Sequence, residues 1–174
     1  MMTLQELQKA KVNLTIAREA YDQAEKRLAD TLETKKAFEQ KATTLLGVYA
    51  TISLALSGGG AALVQNPTLL LHHRWPIWTA AALMMVGAAC FAGVMIDQQY
   101  GAIGSDPDMW LNSGTIDAKD DGKLAEMLAL ITFYHKKRIS VGTRSNKTKA
   151  CLIRAGVICG VAAPLVLLAL VCAS

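Results

Sequence analysis

Charge is almost absent from two long stretches of this chain, and its absence there constrains the fold more than any other feature. No Asp or Glu lies between Glu39 and Asp97, Arg74 is the only Lys or Arg between Lys41 and Asp97, and the 20 residues after Arg154 carry no charged side chain. Over all 174 residues, 18% are charged and 52% are hydrophobic. Soluble domains carry about 25% charged residues. A helix crossing a bilayer needs about 20 predominantly apolar residues. Three segments meet that need: Thr43 to Val64, Pro76 to Ile96 and Ala155 to Ala173. As buried helices of a soluble core they would leave too little polar surface to cover them. The composition excludes a disordered chain and an ordinary soluble domain, and it predicts an integral membrane protein. Residues 1–41 are polar and charged, so no signal-peptide apolar region is expected there.

The remaining charge predicts an orientation. Lys and Arg number eight in residues 1–42, one in 65–75 and nine in 97–154. Positive residues mark the cytoplasmic side of a bacterial inner membrane. The N-terminus and residues 97–154 are therefore expected inside, and the 65–75 loop and C-terminus outside, in the periplasm. The net charge of +4 is read as this bias and as attraction to anionic lipid, with no nucleic-acid partner. Lys136, Lys137, Arg138, Lys147 and Lys149 are the candidates for lipid or anionic-ligand contact. His72 and His73 are read as interfacial residues beside Trp75 and Trp78, since a metal site needs three or four convergent ligands. The four Cys form no C-x-x-C pair and are expected to be unpaired packing residues.

Outside the spans the pattern is helical. Residues 3–41 hold no Gly or Pro, and Leu7, Leu14, Tyr21 and Leu28 recur at intervals of seven. Ala10, Ala17, Ala24 and Thr31 recur at the same interval between them. Large residues at one position and small ones at the other predict a closely approached partner helix. A second helix is expected from Lys123, with Leu124, Ile131 and Arg138 on one interval and Met127, Tyr134 and Val141 on another. The expected fold is all-α: a polytopic membrane protein with three transmembrane helices and two long cytoplasmic helical extensions packed as a coiled coil or bundle. The boundaries are a heptad-bearing helix over 1–42, a transmembrane hairpin over 43–98, a turn-rich linker over 99–122, and a helix over 123–174 that continues into the third span.

Within the spans the signals concern assembly. Gly156 and Gly160 form a G-x-x-x-G, Ala88 and Ala92 share that spacing, and Ser53, Ser57 and Ala61 sit in the first span beside Gly58–Gly60. Small residues four apart let membrane helices approach closely, which predicts a homo-oligomer. No enzymatic motif stands out. The triple glycine lacks the Gly-Lys-Ser/Thr ending of a phosphate loop, and Asp117, Asp120 and Asp121 lack the ligand spacing of a calcium loop. No enzyme activity, cofactor or metal is expected. No ionisable side chain lies mid-span, which disfavours a proton-coupled transporter.

The layout resembles a known group. A charged N-terminal helix runs through Lys41-Ala-Thr-Thr-Leu-Leu-Gly into the first span, a short hairpin follows, and TFYHKKRISVGTRSNKTKACLIRA leads to a last span with Ala163-Pro164-Leu165. Gly104-Ser-Asp-Pro107-Asp-Met-Trp110-Leu111 also looks like a recurring element of small bacterial membrane proteins with this layout. The arrangement is similar to the small transmembrane modules of bacterial antiphage signalling systems, including Pycsar and CBASS effectors and SLATT-type domains. That resemblance implies a membrane-perturbing effector triggered by a nucleotide second messenger, such as a cyclic nucleotide, or by a sensor domain; docking of a cytoplasmic protein partner would belong to a scaffold. The chain shows no sensor domain of its own. A membrane scaffold and a transporter or channel subunit are the other functions compatible with the sequence.

Overall fold

The computed structural model of the chain describes residues 13–65, 74–96 and 121–172. These form three helices: α1 (Leu14–Gln65), α2 (Arg74–Met95) and α3 (Asp121–Cys172). Among the described residues there is no strand. All three helices are long and apolar enough to cross a membrane.

Local chemistry explains the helix ends and their interiors. Asn13 caps α1: its side-chain oxygen accepts the Thr15 N–H at 2.9 Å, and its carbonyl accepts the Ala17 N–H at 2.9 Å. The α1 helix continues through Gly58, Gly59 and Gly60 without a break. Pro76 lies in the first turn of α2, where a missing N–H has no helical acceptor to forsake. Pro164 lies inside α3 and removes the N–H that would bond the Gly160 carbonyl. Thr43, Thr44 and Thr51 each donate the hydroxyl to the carbonyl four residues back, at 2.9, 3.1 and 2.9 Å. Such bonds let a hydroxyl sit in an apolar span without an external partner.

The chain divides into two compact units. The first comprises residues 1–35 and 99–145, the second 36–98 and 146–174. In the first unit, Ala17, Ala125 and Leu128 form a small core, with Leu14, Tyr21 and Leu124 against it. In the second unit all three helices share the core: Ala42 and Tyr49 from α1, Ala80, Met84, Ala88, Phe91 and Val94 from α2, and Ala163 from α3. Large apolar side chains there point outward instead, among them Leu54, Met85, Val86, Ile158, Val161, Leu165 and Leu168. Alanines and glycines bring the helices close around Tyr49, Met84, Phe91 and Val94, while many other large apolar side chains face outward, as small-residue packing between membrane helices allows.

Candidate functional site

The features with chemical content lie on the helix-packing seams. In the second unit the tightest point surrounds Tyr49. Its ring meets Phe91 edge-on, with centroids 4.9 Å apart and planes at 90°. Three glycines make room for the two rings. A Cβ on Gly87 would lie 2.7 Å from the Tyr49 ring, and one on Gly156 would lie 2.7 Å from the Phe91 ring. A Cβ on Gly160 would overlap the Tyr49 hydroxyl. Gly156 and Gly160, expected to mediate helix packing, therefore meet aromatic side chains of the same chain.

The other packing candidates separate. Ala17, Ala24 and Leu28 are buried, while Leu14 and Tyr21 are half-buried. Ala88 is buried, but Ala92 is exposed. The packed face of α2 runs through Met84, Gly87, Ala88, Phe91 and Val94, so position 92 turns away from it. Leu7, Ala10, His72, His73, Asp117 and the segment 104–111 lie outside the described residues.

The basic candidates also divide. Lys136, Lys137 and Lys147 are exposed, and Arg138 is half-buried. Lys149 departs from the expectation of lipid or anionic-ligand contact. It is only 3% exposed, and its Nζ donates to Glu39 Oε1 at 2.5 Å. A buried ammonium requires such a partner, and the α1 carboxylate supplies it.

The first unit places a second unexpected polar group in a seam. His135 on α3 is 1% exposed and stacks at a tilt of 32° on Tyr21 of α1, centroids 5.7 Å apart. Burial, reinforced by the nearby Arg138 charge, holds the imidazole pKa below its usual 6.5, with Glu25 pulling the other way. Burial, with Glu25 and Asp22, pushes the Tyr21 phenol above its usual 10.0. Both groups are therefore neutral near pH 7.

On α3 the buried positions include Leu128, His135, Gly142, Lys149, Gly156 and Ala163, at intervals of seven. Sequence reasoning missed this set because it sought large apolar residues, and only Leu128 is one. Its signal is the spacing of small and polar residues. Tyr134 and Val141, on the expected interval with Met127, are exposed.

Cys90, Cys151, Cys159 and Cys172 are free thiols. Among the described residues no group of three or more His, Cys, Asp or Glu is placed to hold a metal ion. No protein-family model, curated protein or solved structure matches the chain.

Proposed function

We propose that the chain is a non-enzymatic bacterial inner-membrane protein that self-associates and perturbs the membrane when assembled. Its N-terminus is cytoplasmic and its C-terminus periplasmic, and the layout it resembles makes it an effector of a defence system. The observation that carries this reading is the set of large apolar side chains that the second unit leaves exposed, among them Leu54, Met85, Val86, Ile158, Val161, Leu165 and Leu168. Such a surface suits lipid or a second membrane-embedded copy. The α3 glycines are already filled by Tyr49 and Phe91, so a second copy would use another face. Gly47, Thr51, Ala55 and Gly59 follow one another four apart on α1, and all are exposed. A Cβ on Gly47 or Gly59 would meet nothing within 4 Å. Exposed Lys136, Lys137 and Lys147 would contact anionic headgroups.

Induced expression with a membrane-potential dye, combined with chemical cross-linking, tests the reading. The parent should depolarise cells and give a ladder of oligomers. Gly47→Leu with Gly59→Leu should abolish both while the protein stays helical. A parent that neither depolarises cells nor cross-links to itself overturns the reading. One observation favours a scaffold as the second reading: Tyr134 and Val141 are exposed seven residues apart on α3 in the first unit, on a side that also carries Lys137 and Arg138, a mixed surface suited to a cytoplasmic partner helix. A silent protein recovered with such a partner would support it.

A further inference from the structure

In the first unit α3 buries Ala125, Leu128 and Ile131, and four residues later it buries an imidazole. His135 lies against the Tyr21 ring, and among the described residues neither ring nitrogen has a hydrogen-bond partner. A neutral imidazole always carries one N–H donor and one acceptor nitrogen, so both are left unsatisfied in this contact. Among the described residues the charged and titratable groups that face it are few. From α1 come the Tyr21 phenol and the Glu25 carboxylate, and from its own helix comes Arg138. Packing of this kind suits the neutral ring: burial and Arg138 disfavour its protonation, and Glu25 opposes them without hydrogen-bonding to either ring nitrogen.

We propose that His135 makes the α1–α3 contact of the first unit acid-labile: proton uptake by the imidazole opens the packing around Tyr21 and exposes the Ala17, Ala125 and Leu128 core to water. The inference rests on this contact alone and is independent of what the spanning segments do.

The sign follows from linkage. In the packed state burial and Arg138 hold the imidazole pKa below 6.5, and in the opened state it relaxes to its ordinary value. The opened state thus binds more protons, and packing weakens as pH falls below 6.5. The window is that of histidine. With a ring that stays neutral when packed, opening becomes about tenfold more frequent between about pH 7.5 and about pH 5.5. Tyr21 keeps its proton throughout.

Amide hydrogen exchange on the full-length protein in phosphatidylcholine nanodiscs tests this, with rates corrected for the intrinsic effect of pH. Peptides from residues 14–35 and 121–145 should lose protection about tenfold on going from about pH 7.5 to about pH 5.5 and regain it on return. His135→Leu and His135→Gln should each remove the response. The first keeps the seam apolar and the second keeps a polar group, so a packing defect in one leaves the other informative. Protection unchanged in the parent, a parent-sized loss persisting in both variants, or a transition centred near the carboxylate range would overturn the proposal.

Discussion

Gly160→Ala adds one methyl group, and the structure fixes the sign of its effect. Alanine is ordinarily favoured over glycine inside a helix by about 0.5–1 kcal/mol. At Gly160 the new methyl would overlap the Tyr49 hydroxyl and approach ring atom Cε1 to 2.7 Å. The ring has little room to retreat. Phe91 holds it edge-on, and it lies so close to the α2 backbone that a Cβ on Gly87 would also be 2.7 Å from it. Overpacking a well-fitted core costs about 1–3 kcal/mol. The net expectation is a destabilisation of about 0.5–2 kcal/mol, against the helix propensity. Gly47→Ala supplies the opposite case, since nothing lies within 4 Å of the added carbon, and it should stabilise by up to about 1 kcal/mol. Tyr49→Phe removes the atom nearest the added methyl and should restore part of the loss in the Gly160→Ala background. Reversible unfolding in mixed detergent micelles, followed by circular dichroism, ranks these variants against the parent. If Gly160→Ala and Gly47→Ala shift the midpoint equally and in the same direction, the intrachain role of Gly160 falls.

Two further pairs of substitutions probe the seams. Glu39→Gln leaves the buried Lys149 ammonium without its carboxylate and should destabilise by about 1–3 kcal/mol. Lys149→Met removes the buried charge while half-buried Glu39 still reaches water, so it should cost less; thermal melts in detergent compare them, and equal losses would contradict the asymmetry. Ala17→Phe overpacks a residue 2% exposed and should cost about 1–3 kcal/mol, whereas Ala20→Phe, on the exposed face, should stay within about 0.5 kcal/mol. Limited proteolysis of residues 14–35 reads the difference, and equal cleavage rates would remove the close-packed α1 face.

The three helices are legible in the sequence because apolar length and helical periodicity are both written locally. The long uncharged segments mark the apolar parts of all three, and the absence of Gly and Pro from residues 3–41 marks the polar part of α1. The seven-residue interval of Leu14, Tyr21 and Leu28 continues into the first span, through Lys35, Ala42, Tyr49 and Leu56, none of them exposed. That continuation is hidden because the first span is apolar on every side, so a hydrophobic pattern has no contrast there. The α3 face is harder to read for a different reason. Its buried residues include His135, Gly142, Lys149 and Gly156, two polar residues and two glycines, which a search for large apolar side chains passes over. The ion pair is equally hidden, because Glu39 and Lys149 are 110 residues apart and nothing in either local sequence names the other.

These hidden residues bear on register in the second unit. Leucine, alanine and glycine on a repeating interval tolerate a slip of one repeat, because each finds a similar neighbour after the shift. Lys149 and Gly160 do not. A seven-residue slip of α3 along α1 would bring Gly142 or Gly156 to the place of Lys149 opposite Glu39, and would leave a buried ammonium without its carboxylate. The same slip would bring Ile153 or Leu167 to the place of Gly160, where even a single Cβ overlaps the Tyr49 hydroxyl. One lock is electrostatic and the other steric, so they fail under different substitutions. Glu39→Gln removes the first and leaves the Tyr49 notch intact, while Tyr49→Ala empties the notch and leaves the ion pair. Small residues let α1 and α3 approach, and these two contacts select which approach is the native one.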